Sequence, residues 1–194
     1  MVFVGKNVLV ISGSPKKDGN TALLVGWFAE GVRSGGSTAE IIRAADLEHK
    51  AVGCTSCRVC QKSPVYRCVI KDEVSVCVAR FAEADVIVMA SPLYFYGASS
   101  QLKAMMDRMF SLYKWDNAAN TMTTPLKGKT FVFLGSGYED AGFDIFEKPF
   151  QLTARYTGMV YASLVVKNAG VSGEIVKLSG VREQAFELGK KIAG

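Results

Sequence analysis

Five short segments of the chain are almost continuously apolar, and the stretches between them carry apolar residues every three or four positions. Each segment is short enough for one strand, and such continuous apolar composition is typical of strands covered on both faces. We therefore predict five buried strands: NVLVIS from Asn7, AEIIRA from Ala39, ADVIVMAS from Ala84, KTFVFLGS from Lys129 and MVYASLVV from Met159.

The intervening stretches predict helices. The first begins at a polar cap, Asn20, and ends at a glycine pair, while the second starts at Asp72; both are ordinary helix boundary signals. The predicted helices are 20–33, 72–83, 99–112, 143–156 and 181–192. Strands that alternate with helices form parallel sheets with right-handed crossovers. We predict one domain over residues 1–194, a flavodoxin-like three-layer α/β/α sandwich whose five-stranded parallel sheet has the order 2-1-3-4-5.

The end of the first strand predicts a phosphate site. Residues 11–21, ISGSPKKDGNT, combine two glycines with hydroxyl and amide donors and lead into a helix, whose free N–H groups and positive dipole end favour an anion. The loop has neither the GxxxxGK[ST] nor the GxGxxG spacing, so a terminal monophosphate fits better. Lys16 and Lys17 are expected at the rim. The alternative is a Ser- and Gly-rich turn that only caps the helix.

The next two strand ends predict walls for a flat ring. Residues 91–97, SPLYFYG, carry three aromatic side chains on a loop, and residues 135–140, GSGYED, form another glycine loop with a tyrosine. In an open parallel sheet these ends lie beside the first. Aromatic loops next to a phosphate site indicate a conjugated ligand. The alternative is that these aromatic residues only fill the core or the surface.

Four of the five cysteines lie in one stretch, Cys54-x2-Cys57-x2-Cys60-x7-Cys68. The tight spacing of the first three is typical of thiolate ligands to one iron-sulfur cubane, and zinc more often uses two separated pairs. Lysines and arginines around the loop would favour deprotonation. A [4Fe-4S] cluster, a redox disulfide or inert thiols, and zinc all stay open. Cys77 falls on an apolar helix face and is predicted to be a buried core thiol.

Composition narrows the function further. With 49% hydrophobic residues the chain can bury a substantial core, and its net charge of +5 comes from Lys and Arg spread along the chain rather than from basic runs. We expect no nucleic-acid partner and no membrane span. The apolar start is too short to cross a bilayer and has no cleavage site, so we expect a soluble cytoplasmic protein without a signal peptide. His49 is the only histidine, and no G-x-S-x-G elbow supports a hydrolase.

Together these motifs resemble the flavodoxin-like NADPH-dependent FMN reductases, in particular the branch called iron-sulfur flavoproteins. SGSPKKDGNT matches the phosphate loop of that family, SPLYFYGASSQLKAMMDR its flavin-ring loop and helix, and the cysteines with CVIKDE the segment between, so that the resemblance covers about residues 6–165. It implies bound FMN, NAD(P)H as a possible donor, a small-molecule or protein redox partner, and a homodimer or homotetramer. The FMN-binding residues it implies are Ser12, Ser14, Pro15, Lys16, Gly19, Asn20, Thr21, Ser91, Pro92, Leu93, Tyr94, Phe95, Tyr96, Gly97, Ser136, Gly137 and Tyr138.

The resemblance leaves the activity partly open. We expect an FMN-dependent oxidoreductase that passes electrons through FMN and, if it is assembled, through a [4Fe-4S] cluster on Cys54, Cys57, Cys60 and Cys68. A cluster-free NAD(P)H:flavin or quinone reductase and a flavodoxin-like electron carrier are the alternatives. No catalytic residue is predicted, because the flavin itself carries the redox chemistry.

Overall fold

In the computed structural model, residues 5–194 are described. The prediction of a single domain over 1–194, and the prediction about the apolar amino-terminal stretch, both include residues 1–4, which lie outside the described residues. Among residues 5–194, none of the helices has the length and apolar content needed to cross a lipid bilayer.

The core of the fold is a five-stranded parallel sheet. Its strand order, β2-β1-β3-β6-β7, is the predicted 2-1-3-4-5 order, because β6 and β7 are the fourth and fifth strands of this sheet. The strands of the sheet are β1 (Asn7–Ser12), β2 (Thr38–Arg43), β3 (Val86–Pro92), β6 (Thr130–Ser136) and β7 (Val160–Val166), and a separate hairpin is formed by β4 (Lys114–Asp116) and β5 (Thr121–Thr123).

Helices cover both faces of the sheet. The helices are α1 (Asn20–Ser34), α2 (Val59–Lys62), α3 (Glu73–Ala79), α4 (Ser100–Arg108), α5 (Phe143–Thr157) and α6 (Val181–Ala193). One buried cluster joins the sheet to α3, α4 and α5, and a second joins it to α1 and α6, so the architecture has the three predicted layers. Right-handed crossovers put α1 on one face and α3, α4 and α5 on the other, because the chain reverses its direction along the sheet after β2.

Two predicted helices end earlier than the sequence pattern suggests. Both α3 and α4 change into a turn of 3₁₀ helix, over Arg80–Ala82 and Met109–Leu112 respectively. Such tightening is common where a helix gives way to a loop.

The stretches predicted as irregular, 46–71 and 113–128, contain the one-turn helix α2 and the β4–β5 hairpin. The predicted strand positions agree with the structure to within two residues.

The strand register brings the predicted functional loops together. Ser12 of β1 pairs with Ala90 of β3, and Ser136 of β6 pairs with both Pro92 and Val166. The carboxyl ends of four strands therefore meet along one edge of the sheet. Ligands of open parallel sheets bind at this edge.

Candidate functional site

A cleft of about 260 Å³ lies at the carboxyl edge of the sheet. It is enclosed by loops that follow β1, β3, β6 and β7. Its lining residues are Ser14, Lys16, Gly19, Asn20, Thr21, Pro92, Leu93, Tyr94, Ser136, Gly137, Tyr138, Gly170, Val171 and Ser172.

The turn after β1 is held close to the neighbouring strand. The Gly13 amide donates to the Ala90 carbonyl at 2.7 Å, and the buried Ser99 hydroxyl donates to the Gly13 carbonyl at 2.7 Å. A Cβ on Gly13 would lie 2.7 Å from the side chains of Leu102 and Ser99. A glycine is needed here because the turn and the start of α4 pack this closely.

Among residues 5–194, no side chain caps the amino terminus of α1. Gly19 occupies the cap position, no side chain caps the helix, and its first turn contains no acidic residue. The first amides of a helix have no partner within the helix and carry partial positive charge. These amides face the cleft, since Gly19, Asn20 and Thr21 all line it. The cleft therefore offers backbone donors for an anion.

Buried hydroxyl groups join the loops around the cleft. The Thr21 and Ser136 hydroxyls lie 2.8 Å apart, and both side chains are buried. The Ser91 hydroxyl accepts from the Ser99 amide at 2.9 Å. The Ser136 carbonyl accepts from the Leu93 amide at 2.7 Å. These contacts fix the positions of the strand ends relative to one another, so the cleft is formed before any ligand binds.

The side chain of Asn20 holds the fourth loop in place. Its amide nitrogen donates to the carbonyls of Ala169 at 2.7 Å and Val171 at 3.0 Å, and its oxygen accepts from the Ile175 amide at 3.2 Å. The side chain predicted to donate to a phosphate therefore already has partners. The group that Asn20 can offer to an anion is its backbone N–H at the start of α1.

The aromatic loop after β3 is a tight turn. Tyr94 and Gly97 exchange two backbone hydrogen bonds at 3.0 Å, and Phe95 and Tyr96 between them have left-handed backbone conformations, with φ of 46° and 61°. Residues of this size rarely adopt such angles, and strained turns of this kind concentrate at ligand sites. The side chains of Tyr94, Phe95 and Tyr96 are exposed, and the Tyr96 ring packs over Gly142, where a Cβ would lie 2.2 Å from the ring.

Most of the predicted FMN-binding residues line the cleft, and some do not. Residues that support the cleft without lining it are Ser12, Pro15, Ser91, Phe95, Tyr96 and Gly97. Sequence reasoning missed the loop after β7, which contributes Gly170, Val171 and Ser172. The signal was available, because GVSG at 170–173 follows the fifth strand and the carboxyl ends of parallel strands share one edge.

The four predicted cluster cysteines line a second, much smaller cavity. It is bounded by Cys54, Thr55, Cys57, Arg58, Cys60, Cys68, Val69, Arg108, Phe110 and Ser111 and encloses about 10 Å³. Ser56 and Arg58 have left-handed backbone conformations, with φ of 56° and 57°, so the loop curls tightly between the cysteines. Within residues 5–194, no three His, Cys, Asp or Glu side chains are placed to hold a single metal ion. The four-cysteine metal site stays a prediction.

The β4–β5 hairpin holds the cysteine loop against the body of the protein. The Gln61 amide nitrogen donates to the carbonyls of Phe110 at 3.2 Å and Tyr113 at 2.9 Å, and its oxygen accepts from the Trp115 amide at 3.2 Å. The Lys114 ammonium donates to the carbonyls of Cys60 and Val65. The two long loops that sequence analysis treated separately therefore form one unit.

A buried ion pair lies beside the cysteine cavity. Arg108 Nη1 and Nη2 donate to the two carboxylate oxygens of Asp72 at 2.6 and 2.8 Å, and both side chains have no exposed surface. Asp72 also caps α3 by accepting from the Ser75 amide at 2.9 Å. Burial by itself would raise the pKa of Asp72, but the hydrogen bonds from Arg108 and two backbone amides hold it below its usual value.

The cysteines differ in accessibility and in acidity. Cys54 and Cys57 are exposed, whereas Cys60 and Cys77 are buried. Hydrogen bonds from the Val59 backbone and from Thr55 lower the pKa of Cys57. Burial raises the pKa of Cys60 and raises that of Cys77 to about 12. Cys77 belongs to the main hydrophobic cluster, which confirms the prediction of a core thiol.

His49 lies away from both cavities. Its Nε2 is 3.0 Å from the Ala44 carbonyl and it lines neither the cleft nor the cysteine cavity.

Comparison with known proteins finds iron-sulfur flavoproteins among the relatives of this chain. An iron-sulfur flavoprotein of Methanocaldococcus jannaschii is 41% identical over 102 residues, covering 52% of this chain and 50% of the relative. One from Methanosarcina thermophila is 31% identical over 98 residues, covering 50% and 49%. The chain thus spans about half the length of these curated relatives. An iron-sulfur flavoprotein of Archaeoglobus fulgidus is 25% identical over 185 residues, covering 94% of this chain and 77% of the relative.

Solved structures confirm the fold. The NAD(P)H:quinone oxidoreductase from Methanothermobacter marburgensis superposes with a TM-score of 0.69 at 14% identity and covers 98% of both chains. A flavodoxin from the domain Archaea superposes with a TM-score of 0.57 at 14% identity. The family model described as NADPH-dependent FMN reductase matches residues 6–169. The chain therefore belongs to the family of NADPH-dependent FMN reductases, which are flavin-dependent oxidoreductases.

Proposed function

We propose that the protein is an FMN-dependent oxidoreductase that takes electrons from NAD(P)H and delivers them to a small-molecule or protein acceptor, with a [4Fe-4S] cluster on the cysteine loop as a second redox centre. The observation that carries the FMN assignment is the uncapped amino terminus of α1, which opens into a cleft lined by uncharged donors. Family membership over residues 6–169 supports it.

The residues of the cleft fit the phosphate end of FMN. The backbone amides of Asn20 and Thr21 are donors, the Ser14 hydroxyl beside them donates to the Lys16 carbonyl at 3.2 Å, and none of the residues that line the cleft is acidic. Lys16 lies exposed at the rim, where it raises the local positive potential without being buried. A site of this kind binds a dianionic phosphate through dipoles and hydrogen bonds rather than through a buried cation.

The chain's own groups orient the ligand and exclude water. Pro92, Leu93 and Tyr94 form one wall of the cleft, and Gly137 and Tyr138, at the neighbouring strand end, form the adjoining wall. A Cβ on Gly137 would lie 2.6 Å from the Phe143 ring and 3.0 Å from Leu93, so a glycine is required for the walls to come this close. When bound, FMN supplies the hydride- and electron-accepting chemistry, so the reaction needs no acid or base from the protein.

The cysteine loop fits an iron-sulfur cluster in the kind and number of its donors. Four thiols line one cavity, and three of the relatives described above are named iron-sulfur flavoproteins. The space between the thiols is only about 10 Å³. Because residues 54–58 are exposed, this segment can open around a cluster without disturbing the core.

Anaerobic purification followed by chemical analysis tests both assignments. We expect stoichiometric FMN, four iron and four sulfide per chain, and a visible spectrum that dithionite bleaches at both the flavin and the cluster bands. FMN without iron would remove the cluster and leave a simple flavin reductase. Steady-state assays with NADPH and NADH, with and without an added acceptor, test the donor. A flavoprotein that oxidises neither nucleotide would be an electron carrier instead.

We also propose a homodimer or homotetramer in the cytoplasm. All five cysteines are free thiols, as expected in a reducing compartment. An open groove of about 790 Å³, with an aromatic and aliphatic lining, runs between α4 and α5 next to Cys54, and the side chains of Leu152 and Tyr156 in it are about half exposed. Light scattering on the wild type and on Tyr156→Asp tests this. A wild-type monomer would contradict the proposed assembly.

A further inference from the structure

The buried arginine beside the cysteine cavity is held in one orientation. Arg108 uses both terminal nitrogens on Asp72, and Nη2 also lies 3.3 Å from the Ile70 carbonyl. Asp72 in turn accepts from the amides of Ser75 at 2.9 Å and Lys50 at 3.1 Å. Every acceptor position on this carboxylate is therefore occupied. An end-on pair of this kind leaves the third nitrogen of the guanidinium, Nε, directed away from the carboxylate.

Within residues 5–194, Nε of Arg108 has no nitrogen or oxygen partner, and the group that the guanidinium meets besides Asp72 and the Ile70 carbonyl is the sulfur of Cys68. Across residues 5–194, Nε is the one buried side-chain nitrogen or oxygen without a hydrogen bond. Leaving a donor on a charged group unsatisfied in the interior is destabilising, so folded proteins rarely do so without a reason. The terminal nitrogens of Arg108 and both carboxylate oxygens of Asp72 have hydrogen-bond partners, so Nε is the exception in this ion pair.

The cavity that Arg108 lines contains sulfur as its main potential acceptor. Cys54, Cys57, Cys60 and Cys68 all border it, together with the hydroxyls of Thr55 and Ser111, and the Ser111 hydroxyl donates to the Arg108 carbonyl at 2.9 Å. A neutral thiol accepts hydrogen bonds weakly. A thiolate or a cluster sulfide is anionic and accepts a charge-assisted hydrogen bond well.

We propose that Arg108 is a cluster-binding residue, whose Nε–H donates to an anionic sulfur of the four-cysteine site and whose fixed positive charge raises the reduction potential of the cluster there. This inference rests on the proposed function, because it needs the cluster to assemble. Reduction adds one negative charge to the cluster. A buried cation and an N–H donor at its edge both stabilise the more negative, reduced form.

The exposed cations around the loop have a smaller effect on the potential. Arg58 lines the same cavity but is exposed, as are Lys62 and Lys71 on either side of the loop. Exposed charges are screened by water and by salt, whereas a buried charge is screened much less. Arg58 is therefore a suitable control for Arg108, since it has the same charge at the same cavity without the burial.

The test compares Arg108→Lys with Arg58→Lys in anaerobically reconstituted protein. Lysine keeps the positive charge beside Asp72 and removes the Nε–H donor. Iron content, the visible spectrum and the midpoint potential, determined by an EPR-monitored titration, are measured for each protein. We expect R108K to keep its FMN and to show a clearly more negative cluster potential, and R58K to match the wild type. Equal potentials in R108K and wild type would overturn the inference and leave the cluster assignment intact.

Failure of the cluster assignment can be told apart by the iron and FMN content of the wild-type protein. A wild-type protein that retains FMN but binds no iron after reconstitution removes the cluster and, with it, the role inferred for Arg108. Loss of iron in R108K with normal FMN binding supports the inference, since R58K has the same substitution at the same cavity.

Two further measurements keep the inference testable if R108K does not fold. The double variant D72N/R108Q replaces the buried ion pair with two neutral amides, and Asn can still cap α3; because it removes the Nε–H donor, it is expected to shift the potential in the negative direction. In wild-type protein containing arginine labelled with ¹⁵N in the guanidinium, pulsed EPR of the reduced cluster is expected to show coupling to an arginine nitrogen that persists in R58K. Absence of that coupling in both proteins would contradict the inference.

Discussion

At the residue scale, the cleft that we propose to bind the phosphate of FMN depends on Gly19, the cap residue of α1. Gly19 has ordinary extended backbone angles, φ −75° and ψ 172°, which any residue can adopt. A Cβ there would lie 3.2 Å from Cβ of Lys16 and 3.7 Å from the Ser14 hydroxyl oxygen, a close approach but not a clash with the backbone. Nothing in the backbone requires glycine at this position. The bare cap leaves the helix amides open to a ligand, whereas an Asp or Asn would occupy them.

Two variants, Gly19→Asp and Gly19→Asn, test whether the amides of α1 bind the phosphate. Both side chains cap helices well and are expected to stabilise the apoprotein by a few tenths of a kcal/mol. Only the Asp also places a negative charge where the phosphate binds, and like charges at such distances repel by a few kcal/mol. We expect FMN affinity to fall at least about tenfold further in the Asp variant than in the Asn variant. Isothermal titration calorimetry measures both, and equal affinities would show that no phosphate binds there.

The cysteines allow a second test at this scale. In protein freed of iron, iodoacetamide at pH 8 is expected to modify Cys57 first, because it is exposed and hydrogen bonds lower its pKa. A lowered pKa means more thiolate at a given pH, and the thiolate is the nucleophile. Cys77, with its pKa raised to about 12 by burial, is expected to react only after unfolding. Peptide mass mapping over time gives the order, and early modification of Cys77 would be incompatible with its buried position.

At the element scale, α1 and α6 pack unusually close together. A Cβ on Gly31 would lie 1.9 Å from the Phe186 carbonyl oxygen, and one on Gly189 would lie 2.1 Å from the Phe28 carbonyl oxygen. The two helices therefore touch backbone to backbone at these glycines. This contact fixes the layer that supports β1 and the start of the phosphate loop.

Gly31→Ala and Gly26→Ala form a matched pair for this contact, since both glycines lie inside α1. Gly31→Ala forces the helices apart and is expected to lower the free energy of unfolding by about 2 kcal/mol or more. Gly26 has no atom within 4 Å of the added Cβ, so alanine there is expected to stabilise by about 0.5–1 kcal/mol. Urea denaturation of both variants measures these changes in the free energy of unfolding. A stable Gly31→Ala variant would show that α1 and α6 lie further apart than described.

The contact between the hairpin and the cysteine loop is also testable. Gln61→Ala removes three hydrogen bonds to the segment 110–115 and is expected to loosen the loop locally by about 1–2 kcal/mol. Hydrogen exchange at residues 54–68 should accelerate several-fold, while exchange at the phosphate loop should not change. Gln184→Ala, at an exposed position on α6, is the control. Unchanged exchange in the cysteine loop would mean that the hairpin does not hold it.

Sequence reasoning predicted the elements of the sheet and missed the contacts between loops. Strands such as Val86–Pro92 were predictable because their apolar runs report burial on both faces. The β4–β5 hairpin was not, since KWDNAANTMT contains few apolar residues and its strands are only three residues long. The pairing of Asp72 with Arg108 left no local pattern either, because it joins residues 36 positions apart.

In the candidate site, too, residues with a local sequence pattern were predictable and contacts between distant loops were not. Ser14, Gly19 and Thr21 were predictable because they follow the first strand directly and precede a helix. The partners of the Asn20 side chain were not predictable, since they lie about 150 positions further along the chain and depend on the path of the loop after β7. Tertiary contacts of this kind are set by how the elements pack, not by local propensity.

At the scale of the whole molecule, the two sites occupy different parts of the fold. The phosphate cleft lies at the carboxyl edge of the sheet, whereas the cysteine cavity lies against the end of α4 and the 3₁₀ turn that follows it. The two sites have no lining residue in common. One scaffold thus holds a cleft with backbone donors, which is the proposed nucleotide site, and a separate cavity lined by four cysteines beside the buried Arg108–Asp72 pair. The proposed function depends first on the nucleotide site.

The most direct test of the nucleotide site is the affinity of the apoprotein for FMN compared with that for riboflavin, measured by quenching of flavin fluorescence. The two ligands have the same ring and differ only in the terminal phosphate. Because the amides of α1 bind that phosphate in our proposal, we expect micromolar or tighter binding of FMN and at least about 100-fold weaker binding of riboflavin, a difference of about 2.7 kcal/mol. Equal affinities for FMN and riboflavin, or no quenching by either, would contradict it.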